Sequence, residues 1–425
     1  MKIKTKPLAY EGVLALPRPT HKMPRRPSPL LRFVVRLAAA GDLKATHFTY
    51  TDRRPRELIG RPSLILMNHS SFIDLEMVSR IFRSEPYGIV CTSDGFVGKE
   101  GLMRAIGCIP TRKFVTDVSL VGDIRYALRE LGIHVLMYPE ASYSFDGTAT
   151  PLPRRLGVLL KRLGVPVVMV KTAGAFTRDP LYNCLQKRQV DVSAEVYQLF
   201  STEDLKTKPP AELDAALDEA FTFDHFAWQR DNGIEITEPF RADGLNRILF
   251  QCPHCLTRGE MEGKGTVITC GYCGASYELD TLGRLICRTG DGKFGHIPDW
   301  YTWERRQVAA EIEGGTYLLD TDVNIGMMVD YKAVYMVGGG HLRHDADGFH
   351  LTGCGGKLDY RQGPEACYSV YSDYYWYEIG DVICIGNGDA LYYCFPKEKD
   401  VVARTRMAVE ELYRRARQKR RGGTT

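Results

Sequence analysis

Between about Arg61 and Phe200 the chain repeats one alternation, a short apolar run followed by a stretch whose apolar residues recur every three or four positions. The apolar runs Leu64–Met67, Tyr87–Cys91, Ile133–Tyr138, Val165–Val170 and Val190–Tyr197 predict strands. The periodic stretches near Asp74–Arg83, Lys99–Ile106, Val118–Leu131 and Arg154–Leu163 predict helices. Runs as continuous as Val165-Pro-Val-Val-Met-Val170 belong to a sheet covered on both faces, which implies crossover helices and mostly parallel strands. A further helix, Ala211–Arg230, opens after Pro209-Pro210 and closes before Asp231-Asn-Gly233. The pattern changes near Gln251. Two tight cysteine pairs follow, then a short helical stretch after Asp299, then a segment rich in Tyr, Val and Ile over Thr316–Phe395. Turn signals punctuate it at Gly338-Gly-Gly340, Asp347-Gly348 and Asn387-Gly388-Asp389. A helix over Asp400–Arg417 ends the series. The organisation expected is a basic N-terminal segment (1–58), an α/β domain (59–240), a cysteine-bearing module (248–288) and a β-rich domain with a basic C-terminal helix (295–425).

A chain of 425 residues has room for these units, and its 44% hydrophobic and 25% charged content is that of a globular protein. The net charge of +4 is small, and basic residues gather at the two ends. Near the start, Pro29–Ala40 is apolar but interrupted by Arg32 and Arg36, with Arg25 and Arg26 before it. It is too short to span a bilayer and is not ordered like a secretory signal. It reads equally as a helix lying among lipid headgroups or as one packed on the next domain. Twelve cysteines, eight of them scattered in apolar or aromatic contexts, fit buried thiols in a reducing compartment. A cytoplasmic protein is expected.

Chemistry enters at Leu64-Ile-Leu-Met-Asn-His-Ser-Ser-Phe-Ile-Asp74. A histidine at a strand end is rigidly mounted, and a carboxylate five positions on can fix its tautomer, an arrangement suited to taking a proton from a hydroxyl. Ser71-Phe-Ile-Asp74 also matches a helix capping box, in which the acid serves backbone donors. Downstream lie Gly107-Cys-Ile-Pro-Thr-Arg-Lys113, Met137-Tyr-Pro-Glu-Ala-Ser-Tyr-Ser144 and Val165–Val170.

In this order the four blocks resemble the glycerolipid acyltransferase family, over about Ile59–Phe200. The family's Asn-His-x4-Asp block is matched by Asn68, His69 and Asp74. Its glycine and arginine are matched by Gly107 and Arg112, and its Phe-Pro-Glu-Gly-Thr-Arg-Ser block by Tyr138–Ser144. The resemblance implies that His69 is the general base on an acceptor hydroxyl and that Asp74 steadies the imidazole. It implies that Asn68, Arg112, Glu140 and Ser142 line the acceptor site, Arg112 gripping an anionic headgroup. An acyl-CoA or acyl carrier protein thioester would be the donor and a lysolipid the acceptor. Two positions depart from the family: Tyr143 replaces its arginine and Ala141 its glycine. A tyrosine cannot neutralise phosphate, so the acceptor is less defined than the reaction; Arg112, Lys113 or Lys171 are candidates to compensate.

Cys252-x2-Cys255-x14-Cys270-x2-Cys273 has the spacing of a structural zinc ribbon, and four thiolates leave no open coordination position for catalysis. Gly271 and Gly274 supply turn freedom, and His254 is read as a bystander. From Arg404 to Arg421 eight Lys or Arg face two Glu. Such a helix docks by its apolar stripe with a solvated basic face, or binds phosphates of anionic lipid or nucleic acid; beside an acyltransferase-like domain, lipid is preferred and nucleic acid is not. His341, His344, Asp345, Asp347 and His350 are read as hairpin residues rather than metal ligands. The short strands with a terminal helix look like a pleckstrin-homology-type barrel in architecture alone. The expectation is an acyltransferase working on lysolipids in phospholipid synthesis, peripheral on the inner face of the cell membrane. The alternatives are a non-catalytic membrane-docking protein on a degenerate acyltransferase fold, and nucleic-acid binding through the ribbon and tail.

Overall fold

Leu64 and Leu66 point into one apolar layer while Ile65 and Met67 point into another, the two-sided burial that a continuous apolar strand requires. The computed structural model describes residues 2–115 and 117–422; the domain ranges drawn to residues 1 and 425 extend beyond these at their ends. Around Leu64–Met67 a seven-stranded sheet runs in the order Thr49–Asp52, Ser193–Phe200, Val167–Ala173, Leu64–Met67, His134–Met137, Tyr87–Thr92, Cys108–Thr111. All neighbours are parallel except Val167–Ala173 with Ser193–Phe200. Helices Val118–Arg129, Leu156–Leu163 and Pro210–Phe221 cover one face, and Ile73–Ile81 with Pro29–Ala45 covers the other. The expected α/β sheet is present. The expected single helix Ala211–Arg230 is two, because Asp224 caps a new start at His225 by accepting the N–H of Ala227.

The N-terminal segment is not a unit of its own. Thr5–Pro7 pairs in parallel with Val334–Met336 of the C-terminal sheet, and Thr49–Asp52 is an edge of the α/β sheet. Helix Pro29–Ala45 buries Ala39 and Leu43 against Ile73–Ile81. One of its arginines folds back on the domain: Arg32 donates to the carbonyls of Phe82 and Glu85 at 2.8 and 2.6 Å, closing the end of the neighbouring helix. Leu30, Phe33, Val34 and Leu37, one helical stripe, are left exposed, Leu30 by 70%.

The cysteine module is a four-stranded antiparallel sheet over Met261–Lys264, Val267–Cys270, Ser276–Leu279 and Leu285–Cys287. Helix Ile297–Glu313 then leads into an antiparallel sheet ordered Leu358–Gln362, Gly348–Gly353, Val334–Asp345, Leu319–Met328, Leu391–Pro396, Gly380–Gly386, Tyr371–Trp376. Its two end strands do not pair with each other, so the barrel expected from the strand count is not closed. Gly338-Gly-Gly340, expected to be a turn, lies inside Val334–Asp345. A Cβ at Gly340 would sit 2.4 Å from both the Ile325 side chain and the Thr352 carbonyl, so the glycine answers close packing rather than chain reversal. Helix Val401–Gly422 packs on Ile297–Glu313, and acids meet many of its cations: Arg404 pairs with Glu311, Arg415 with Glu411 and Glu313, and Arg420 with Glu365.

Candidate active site

Where Leu64–Met67 ends, Asn68 and His69 emerge at the carboxyl edge of the parallel strands, the edge at which open α/β sheets place their chemistry. The His69 Nδ1 lies 3.1 Å from Asp74 Oδ2. The same oxygen accepts the backbone N–H of Ser70 at 2.7 Å and of Ser71 at 3.1 Å. Asp74 thus serves backbone donors and the imidazole together, and it supplies the acid's half of the capping box; the Ser71 hydroxyl does not cap the helix, so the other half is missing. An ionised Asp74 fixes the imidazole proton on Nδ1 and leaves the Nε2 lone pair free. Burial pushes the Asp74 carboxyl up to about 7, opposed by the two N–H groups. Burial, reinforced by the Lys113 charge, holds His69 well below the ordinary imidazole value.

Three of the four residues expected to bind substrate have partners within the protein. Asn68 Oδ1 accepts the N–H of Thr172 at 2.8 Å and its hydroxyl at 3.2 Å, tying the strand end to Val167–Ala173. Glu140, buried after strand His134–Met137, takes the backbone N–H of His69 on one oxygen at 2.8 Å. Its other oxygen takes the N–H and hydroxyl of Thr150 at 3.0 and 2.9 Å. Both carboxylate oxygens are thus engaged, one by the His69 backbone and one by Thr150, and burial pushes this carboxyl up to about 7. Arg112 donates one bond, from Nη1 to the Asn387 carbonyl at 3.3 Å. Ser142 is the exception: its hydroxyl is buried with no partner. Lys113, not Arg112, is the cation whose field reaches His69.

The departures from the family blocks have a visible geometry. The Tyr138 and Tyr143 rings flank the His69 ring at centroid distances of 4.0 and 4.3 Å, so the residue standing for the family arginine packs on the imidazole. Ala141 adopts φ +58°, the left-handed region in which glycine is unstrained. The C-terminal sheet supplies what sequence reading missed. Tyr371 Oη and Trp376 Nε1 both donate to Asp94 Oδ2, at 2.8 and 3.1 Å, and Lys113 Nζ lies 4.4 Å from the centre of the Tyr371 ring. Asp373, pushed up to about 7 by burial against the pull of Lys113, faces Lys113 and Tyr143. His225, also missed, sits 3.3 Å from the Ser70 hydroxyl through Nε2, and burial lowers it to about 3. Beneath this cover the His69 side chain is 15% exposed.

The four cysteines Cys252, Cys255, Cys270 and Cys273 converge with every Sγ within 4.8 Å of the others, Cys252 to Cys273 at 3.6 Å and Cys255 to Cys270 at 3.7 Å. Four sulfurs about 2.3 Å from a central ion would be spaced by about 3.8 Å, so the donors fit a tetrahedral metal. Both knuckles close through a left-handed residue after the second cysteine, Leu256 at φ +64° and Gly274 at φ +74°; Gly271 is not needed for this. His254 is bonded to the Tyr277 hydroxyl at 2.8 Å, outside the cluster. The remaining histidines disperse: His341 joins Asp320 and Asp322, His344 joins Tyr317, and His350 joins Asp359.

Residues 46–171 match the family model described as Acyltransferase. That span contains His69, Asp74, Arg112, Glu140 and Ser142, and the resemblance read from the four blocks is borne out: an acyltransferase domain occupies this part of the chain. No curated protein matches the chain. The solved structures that match include a crystal structure of the 1-acyl-sn-glycerophosphate (LPA) acyltransferase PlsC from Thermotoga maritima. It covers 45% of this chain and 76% of its own at 15% identity, with a TM-score of 0.34.

Proposed function

We propose that the chain transfers a fatty acyl group from a thioester, acyl-CoA or acyl carrier protein, to the hydroxyl of a lysolipid in phospholipid synthesis. The observation that carries this reading is the 3.1 Å contact between His69 and an Asp74 oxygen already oriented by two backbone N–H groups. His69 Nε2 takes the acceptor proton as the hydroxyl oxygen attacks the thioester carbonyl, and Asp74 stabilises the imidazolium that forms. Glu140 and Asn68 hold the His69 backbone at the strand end. Ser142, buried with an unpartnered hydroxyl, remains a group able to meet the acceptor, and Lys113 takes the place of Arg112 as the nearby cation.

No helix of the described residues is long and apolar enough to cross a membrane. The exposed stripe Leu30, Phe33, Val34 and Leu37 supports docking on an anionic membrane from the cytoplasmic side, apolar groups entering the lipid. Zinc is the metal proposed for the four thiolates, with a structural role.

The test is labelled acyl-CoA or acyl carrier protein incubated with a panel of lysolipids. Wild type should form product, and His69→Ala should lose about 10²–10⁴-fold in rate with its metal content and fold intact. The packing of Tyr138 and Tyr143 on the imidazole favours a second reading, a non-catalytic docking protein on this fold. A wild-type protein inert toward every donor and acceptor, or a fully active His69→Ala, selects that second reading.

A further inference from the structure

Away from His69, a cavity of about 420 Å³ opens on the seam between the acyltransferase domain and the two helices Ile297–Glu313 and Val401–Gly422. Arg154 and Thr150 line it from the first domain, Tyr301, Arg305 and Arg406 from the helices. Its size is that of a small-molecule site.

Two of its arginines converge on one acid. Arg305 and Arg406 share a single carboxylate, Glu410, at 2.5 Å to Oε2 and 3.2 Å to Oε1. The neighbouring cations hold Glu410 below its ordinary value, so it stays ionised against its burial. Ser369 completes its coordination at 2.8 Å. Asp146, on the same wall, also acts on Arg305 through its charge, so what the guanidinium groups lack is a hydrogen-bond partner rather than negative charge. Arg406 is 3% exposed, yet its Nη1 has no hydrogen-bond partner. An unpaired nitrogen on a buried guanidinium is costly unless something else satisfies it. The other acids on the wall do not supply the partner. Asp146 receives the N–H and hydroxyl of Thr148, and Asp218 faces Arg154 at 3.5 Å near the surface. Apolar wall is present as well, with Phe145 beneath the Arg406 guanidinium at 4.6 Å and Leu152 beside it.

We infer that this cavity binds a phosphate ester, its phosphate on Arg305, Arg406 and Arg154 and its organic part along the Phe145–Leu152 wall. Guanidinium forks match phosphate oxygens two at a time, and the volume exceeds what a bare phosphate ion fills. The site stands independently of the reaction at His69. It has one link to it: Thr150, on the cavity wall, is the residue that holds the Glu140 oxygen opposite the His69 N–H.

Binding is measured by calorimetric titration of the full-length protein with inorganic phosphate, glycerol 3-phosphate and coenzyme A. Saturable binding is expected for at least one of the esters, lost by at least tenfold in Arg305→Gln and in the surface variant Arg154→Ala. It should persist in His69→Ala, which separates this site from the acyl-transfer centre. Preference for glycerol 3-phosphate would point to a lipid headgroup as the source, and preference for coenzyme A to the acyl donor. Arg154→Ala keeps the test decisive if Arg305→Gln perturbs folding, because Arg154 is exposed and outside the Glu410 cluster. The inference is overturned if the three probes fail to saturate up to about 10 mM, a range that covers affinities weaker than 1 mM. It is equally overturned if both arginine variants bind as wild type does.

Discussion

The thiol cluster and the imidazole are both announced by short spacings, yet they are completed in opposite ways. The four sulfurs come from two turns fifteen residues apart, and the small sheet around them brings every donor into place. His69 and Asp74 meet locally too, but their surroundings arrive from far along the chain. Tyr371, Asp373 and Trp376 lie some three hundred residues further on and reach the site through Asp94 and Lys113. A centre built by spacing alone is self-contained. A centre finished by another domain depends on how that domain is seated.

The contrast is broken most sharply at Asp94, whose Oδ2 accepts both Tyr371 and Trp376. Asp94→Ala leaves the buried Tyr371 O–H unpaired while Trp376 Nε1 keeps the Tyr371 oxygen at 2.9 Å, a cost of about 1–3 kcal/mol. Denaturant unfolding should show that loss while the metal content per chain stays unchanged. If the metal is lost as well, the ribbon is not independent of the seam.

A smaller effect follows from the Asp74 carboxyl, pushed up to about 7. With His69 as the proposed base an ionised Asp74 is required, so on that proposal the acyl-transfer rate should fall about tenfold per pH unit below that midpoint and level off above it. The imidazole, held low, contributes no limb near neutrality. A rate flat from pH 5.5 to 8.5 would show that the dyad does not titrate in this way.

The smallest effect compares one strained residue from each region. Ala141 and Leu256 both sit at positive φ, in turns where glycine fits. Ala141→Gly and Leu256→Gly should each stabilise by about 0.5–1 kcal/mol, read as an increase in melting temperature. Destabilisation at Ala141 alone would mean that its methyl group packs usefully in the covered site.

These residues also explain what the sequence disclosed. Leu64–Met67, running into His69, stood out because it is buried on both faces and wholly apolar. The two strands that escaped notice, Thr49–Asp52 and Cys108–Thr111, are the two edges of the sheet. One is polar throughout and the other contains Pro110, features that an edge tolerates and a central strand does not. The roles of Asn68 and Glu140 were hidden for another reason. Their spacing marks them as belonging to the site, but only the fold reveals that their polar atoms are consumed by Thr172, Thr150 and the His69 backbone. The seating of the C-terminal sheet on Lys113 and Asp94 had no local signature at all.

The three-residue strand Thr5–Pro7 has a consequence in time. Its partner, Val334–Met336, lies about 330 residues later. At about 5–20 residues per second on a ribosome, the first strand waits roughly 20–70 s for the segment it will pair with. During that interval the acyltransferase sheet can assemble with its imidazole uncovered, and only the late arrival of the last third of the polypeptide closes over it.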